Sequence, residues 1–242
     1  MIIKVADFYF RIISYSSATS AICQDFAIWD KKDVERIDMD ILLTDEDIER
    51  ENLIAAENGI ESSREMNESL AIYRKICGYA LQRDAFFMHG AVIEYQGKGY
   101  MFTAMSGTGK TTHIMQWKKA FGDENVTVIN GDKPIIRFVD GKAYAYGTPW
   151  NGKEHLGING KVELSGICFL RRGAENSIRR ITAEKAIPLL FSQIMITDSS
   201  DLAKQLELVD KLVEKVPLYL LECNISEEAA RVSYEGMSNQ SN

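Results

Sequence analysis

The sequence predicts an α/β fold, a mixed β-sheet domain with a small β-rich N-terminal unit attached, and three observations predict it. From residue 85 onward, segments of strand character alternate with amphipathic helical segments. Several strands are joined in pairs by short turns, and a glycine-rich loop at residues 104–112 stands between an apolar strand and a helix. Strands flanked by helices call for a covered sheet, and hairpins within the set make it mixed rather than purely parallel. The chain has 242 residues, 45% of them apolar, enough to bury a sizeable core.

In order along the chain, residues 1–62 read as the β-rich unit. Ile2 to Ser14 has strand character, Phe26 to Trp29 forms a short second strand, and Ile41-Leu42-Leu43 is a strand within the acidic segment Asp38 to Glu51. Residues 63–84 form a connecting helix: Leu70, Tyr73, Ile76, Cys77, Ala80 and Leu81 recur at helical spacing, and that face docks the two parts together. Residues 85–236 form the main domain. Phe86 to Glu94 and Gly99 to Thr103 make a hairpin around Gln96-Gly97, and Thr111 to Ala120 is helical. Val126 to Ile129 is a β-branched strand ending at Asn130-Gly131-Asp132, and Pro134 to Val139 pairs with Lys142 to Tyr146 across Asp140-Gly141. Glu163 to Leu170 is a strand, helices follow Thr182 and Asp198, and Leu218 to Glu222 is a late strand before a helix capped by Ser226. Residues 237–242 read as a disordered polar tail.

The chemistry concentrates in Ser106-Gly107-Thr108-Gly109-Lys110-Thr111-Thr112. Gly107 and Gly109 permit backbone conformations that turn successive N–H groups toward anionic oxygens. Lys110 adds a positive charge there, the Thr111 hydroxyl suits Mg²⁺, and the helix starting near Lys110 points its positive end at the same place. The complete phosphate-loop pattern has a glycine where this chain has Ala104. Asp132, about twenty residues beyond the loop, lies at a strand end that shares the loop's edge of the sheet. It either holds the metal together with Thr111 or orients an attacking hydroxyl; the bland alternative is a turn-capping carboxylate.

Further candidates are weaker. His89 sits in an apolar run, either as a hydrogen-bonded core residue or as a neighbour of Asp132; His113 faces the protein, and His155 has the slightest claim. The loop from Gly147 to Glu154 either covers the site, with Lys153 on phosphate and Glu154 on metal or acceptor, or is a surface turn. Arg171, Arg172, Arg179 and Arg180 offer a clamp for transferred phosphate against the ordinary reading of solvated arginines. A net charge of −7 without any Lys/Arg block argues against nucleic acid, and the lack of a leader pattern or long apolar run argues for cytoplasm and against a membrane. Cys23, Cys77, Cys168 and Cys223 are scattered in apolar settings and read as reduced core residues.

Phe87-Met88-His89-Gly90-Ala91-Val92, the loop through Thr112, and Asn130-Gly131-Asp132 together resemble the HPr kinase/phosphorylase family and its relatives with the phosphoenolpyruvate-carboxykinase type of nucleotide-binding domain. The resemblance covers roughly residues 85–235. It implies a P-loop kinase fold, with His89 and Asp132 at catalytic positions, Lys110 binding phosphate and Thr111 binding metal. It also implies ATP, or alternatively GTP or pyrophosphate, as donor with Mg²⁺. The acceptor would be a hydroxyl on a protein, peptide or small molecule. The family's hexamers make a homo-oligomer an expectation of the resemblance alone. Two departures stand out. HPr kinases carry two adjacent aspartates where this chain has Gly131-Asp132, so one carboxylate takes both roles or recruits another, such as Glu154. The family's signature after the acidic strand end is missing, so HPr itself is not implied as substrate. The sequence therefore predicts a Mg²⁺-dependent nucleotide phosphotransferase, the alternative being a nucleotide-binding regulatory module without transfer.

Overall fold

The structure is a computed structural model that describes residues 1–30, 32, 34, 36–195 and 199–238. It opens with a hairpin of β1 (Ile2–Val5) and β2 (Phe8–Ile12), followed by α1 (Ser17–Ile22), a 3-10 turn at Gln24–Phe26, β3 (Met39–Ile41) and α2 (Asp45–Glu57). The three strands form one sheet in the order β1-β2-β3. The N-terminal unit is thus mixed rather than β-rich. Phe26 belongs to the 3-10 turn and only Ala27 bridges to Ile3, so the strand expected near 26–29 is absent, and β3 ends at Ile41 rather than Leu43. The helix α2 arises because Thr44 and Asp47 cap each other's backbone and Asp45, Glu46 and Asp47 complement the helix dipole.

Next comes α3 (Arg64–Leu81), capped by Ser63, whose hydroxyl accepts from Met66 N at 3.2 Å. Its Ile72, Tyr73, Ile76, Cys77 and Ala80 are buried in one cluster with Phe8, Phe10 and Ile41 on one side and Phe87, Ile135 and Trp150 on the other. That shared core is the docking expected of this helix. Arg74 pairs with the buried Glu51 and so also fastens α2 to α3.

The hairpin turn at Ala6-Asp7, both residues at positive φ, brings the Asp7 carboxylate onto the main sheet, where it accepts from Tyr146 Oη at 2.7 Å and Lys161 Nζ at 3.0 Å. Burial works to raise the Asp7 pKa, but these partners outweigh it and the net shift is downward. A carboxyl lowered in the folded state stabilises the fold above its unfolded value, and that contribution disappears as pH falls through the folded value. Asp7→Asn is therefore expected to lower stability at neutral pH by under about 1 kcal/mol, given the side chain's partial exposure. Urea denaturation of the two proteins should converge in acid; a gap that persists there would contradict this account.

The main sheet runs β4 (Ala85–Phe87), β8 (Ile135–Val139), β9 (Lys142–Tyr146), β10 (Lys161–Arg172), β6 (Lys98–Thr103), β5 (Ala91–Tyr95) and β7 (Val126–Asn130), with β12 (Leu218–Cys223) on the second half of β10 and β11 (Ser177–Arg180) outside β12. Strands β6, β10 and β12 are parallel, and β5 is antiparallel to both β6 and β7, so β7 runs with them. The ends Thr103, Asn130, Arg172 and Cys223 consequently share one sheet edge. Helices α4 (Lys110–Phe121) and α7 (Glu227–Ser238) pack together around Trp117, Tyr100 and Phe102 on one face; α5 (Ala183–Phe191) and α6 (Leu202–Lys215), through Leu190, Leu208 and Leu212, cover Ile167, Phe169 and Leu220 on the other. Helix α7 includes the buried Met237 and ends at Ser238, so residues 237 and 238 are helical rather than part of a tail; the remainder of the predicted tail, residues 239–242, lies outside the described residues. The cysteines are free, three of them buried. No helix among the described residues is long and apolar enough to cross a membrane.

Candidate functional site

The loop between β6 and α4 has the backbone its glycines suggest. Gly107 and Gly109 lie at φ 76° and 121°, in the region side chains resist, whereas Ala104 is not among the positive-φ residues. The backbone at the substituted position thus makes no demand for glycine. Gly109 caps α4 without any side-chain hydrogen bond, and His113 N, donating to Gly109 O at 2.9 Å, begins the helical bonding. The N–H groups of Gly109, Lys110, Thr111 and Thr112 have no backbone acceptor among the described residues. Unpaired N–H groups at the positive end of a helix form an anion cradle. Lys110 is buried beneath the loop, its Nζ donating to Ala104 O at 3.2 Å; burial lowers its pKa and the nearby Asp132 carboxylate works against that. Thr111 and Thr112 are half-buried, and Ser106 is exposed at the loop tip beside Met105.

His89 and Asp132 meet because the start of β5 lies beside the end of β7. Gly90 N donates to Asp132 O at 3.0 Å, and His89 Nε2 lies 3.2 Å from Asp132 Oδ1. Lys133 Nζ contacts the other carboxylate oxygen. Burial pushes the Asp132 pKa up, but the His89 hydrogen bond and the Lys133 charge outweigh it and hold the carboxyl well below the usual range. The turn-capping role belongs to Asn130 instead: its Oδ1 accepts from Asp132 N at 2.9 Å and Lys133 N at 2.7 Å, and its Nδ2 donates to Thr148. Lys133, Asn130 and Thr148 were not legible as site residues. Lys133 is simply adjacent to Asp132, and the other two depend on contacts between distant segments.

The loop after β9 is pinned beside this pair. Gly131 N donates to Leu156 O at 2.8 Å and Ile158 N to Ile129 O at 3.2 Å; buried Trp150 donates to Ser69 Oγ at 2.9 Å and packs on Tyr73. A Cβ on Gly152 would sit 3.2 Å from Asp132 Cβ and 3.8 Å from Glu154 Oε2, so Asp132 and Glu154 flank the same glycine. Lys153 and His155 are exposed. Among the described residues no group of three or more His, Cys, Asp or Glu side chains forms a ready-made metal site.

Cavities of about 590 and 620 Å³ flank the loop. The first is lined by Gly107–Gly109, Thr112, Gln116 and the strand ends at 170–173 and 223–225; the second by residues 103–108, Leu189 and Gln193. Neither reaches the His89–Asp132 pair, although Gln193 O accepts from His89 N at 2.6 Å. Arg171 and Arg172 line both cavities, whereas Arg179 and Arg180 sit on the edge strand β11 and line neither. His113 is a core residue, 3.1 Å from Trp117 Nε1 and 3.3 Å from Ser233 Oγ, with burial lowering its pKa to about 4.

No protein-family model matches the sequence, and no curated protein matches it. Among solved structures the chain is similar to the Hpr(Ser) kinase/phosphatase from Coxiella burnetii, at 6% identity and a TM-score of 0.39, over 64% of this chain and 99% of that chain. At that score and identity, the likeness decides nothing about what this chain acts on.

Proposed function

We propose that this chain binds a nucleoside triphosphate at the 104–112 loop and transfers its terminal phosphate to a hydroxyl. The observation that carries the reading is the convergence, at one sheet edge, of the N–H groups of Gly109 to Thr112, which have no backbone acceptor among the described residues, the buried Lys110 and the His89–Asp132 pair. The loop amides would hold the β-phosphate and Lys110 would draw charge from the transferred group, so positioning and electrostatics supply most of the acceleration. The Thr111 hydroxyl and the ionised Asp132 suit Mg²⁺, which takes one or two protein oxygens and completes its shell with phosphate and water. When bound, the ion would neutralise phosphate charge; Glu154, across Gly152, is the nearby carboxylate that could join the set. A carboxyl held so far down is a weak base. Asp132 therefore directs the acceptor hydroxyl more than it withdraws the proton, with His89 fixing its orientation. The acceptor class extends from a serine in a small protein or peptide to a small molecule, in the cytoplasm.

One observation favours a regulatory module without transfer: the backbone of Asn151 and Leu156 closes the space beside Gly131 where a second aspartate would stand. Calorimetric titration with ATP, GTP and pyrophosphate, each with and without Mg²⁺, tests the site. Lys110→Ala is expected to weaken metal-dependent binding at least about tenfold. Failure of wild type to bind any of the three would remove the reading, and tight binding with no transfer to broad acceptor pools would favour the module.

A further inference from the structure

We propose that Arg172 is a positioning residue of the nucleotide site, a brace that turns the Gly109 N–H into the phosphate cradle; the proposal rests on the nucleotide-binding reading. Strand β10 is in parallel register with β6, Phe169 opposite Thr103, and it continues to Arg172 after β6 has turned into the loop. Arg172 therefore stands over the loop. Its Nη2 donates to Gly107 O at 2.6 Å and its Nε to Thr108 O at 3.3 Å.

In a trans peptide the C=O and N–H point in opposite directions. Drawing the Thr108 carbonyl toward Arg172 sends the Gly109 N–H the other way, where it has no backbone acceptor among the described residues. The neighbouring unit is fixed as well, since the Gly107 carbonyl is held by Arg172 while Thr108 N donates to Met105 O at 3.2 Å. Gly107 has no atom within 4 Å of where a Cβ would lie, so packing around that position does little to stop these peptide planes from rotating. The planar guanidinium spans two carbonyls at once, which a lysine ammonium on its flexible stem does less well. The adjacent Arg171 is the natural control: it reaches Glu222 at 3.5 Å and makes no hydrogen bond to the loop.

A brace acts on the part of the cradle that a diphosphate and a triphosphate share, whereas a clamp on the transferred group acts only when that group is present. Titration of MgADP and MgATP into wild type, Arg172→Ala, Arg172→Lys, Arg171→Ala and Lys110→Ala separates the two. Arg172→Ala is expected to weaken both nucleotides by the same factor, about tenfold, with only partial recovery in Arg172→Lys and a smaller loss in Arg171→Ala, which alters the same cavities but leaves the loop carbonyls held. The melting temperature without nucleotide should stay at the wild-type value. Unchanged MgADP affinity in Arg172→Ala, beside a loss in Lys110→Ala, overturns the brace and leaves the nucleotide reading standing; wild type that binds neither nucleotide overturns both. If Arg172→Ala does not fold, Arg172→Gln, which keeps donors but not the fork, is read by the same criterion.

Discussion

Asp132→Asn is expected to lower phosphoryl transfer by about a thousandfold, mid-range for a group that directs proton and metal placement, while the fold and the loop's phosphate cradle persist. The fold persists because the turn is held by Asn130, whose side chain takes the N–H groups of both Asp132 and Lys133. The cradle persists because the N–H groups of Gly109 to Thr112 make no hydrogen bond to the carboxylate among the described residues. What changes is charge. The amide keeps the shape but loses the anion that faces His89 and Lys133, and with it the proposed metal ligand. Nucleotide without metal should bind as in wild type, and only the metal-dependent gain should shrink. The pH profile carries a second test. Because Asp132 is held well below the ordinary carboxylate range, its protonation should set no acid limb in wild-type transfer anywhere above that range. Full activity in Asp132→Asn, or an acid limb that this substitution abolishes, would remove the role assigned here.

Local patterns carried most of what could be read from the chain. The apolar spacing of α3 appears as its buried face, and Gln96-Gly97 and Asp140-Gly141 close the hairpins β5–β6 and β8–β9 with positive φ at each residue. Helix α2 is absent from the sequence reading: Thr44-Asp45-Glu46-Asp47 holds its capping signal, but its long polar face hides the apolar period that marks a packed helix. The loop at 107–109 could be read because glycines with positive φ leave a local trace. The surroundings of Asp132 could not. Gly131 reads as a turn glycine, yet its requirement comes from Asn151 and Leu156, and the reach of Arg172 follows from how far β10 extends past β6. Such facts depend on register between distant segments, and no local propensity encodes them.

Introducing a second aspartate, at position 131, should therefore harm this protein. In Gly131→Asp the new Cβ would lie 2.8 Å from Asn151 O, 3.1 Å from Leu156 O and 3.3 Å from Leu156 Cβ. Two of these atoms are main-chain carbonyl oxygens, which also repel a carboxylate. The loop cannot yield cheaply: it is held by Gly131 N on Leu156 O, by Ile158 N on Ile129 O and by Trp150 locked between Ser69 and Tyr73. Overpacking of this kind costs about 1–3 kcal/mol, a fall in melting temperature of roughly 5 °C for a chain of this size. Gly131→Ala isolates the Cβ from the charge and should account for most of the loss. Transfer should not rise in either variant, since displacing the loop also displaces Gly152 and Glu154 from beside Asp132. A Gly131→Asp protein as stable as wild type and faster in transfer would mean that the loop swings away at little cost. The second carboxylate would then belong at 131, and Glu154 would have no part in the site. Under the packing described here the reverse holds: Glu154→Gln should slow transfer and raise the Mg²⁺ concentration it needs, because the loop that excludes a carboxylate at 131 brings its own to the other side of Gly152.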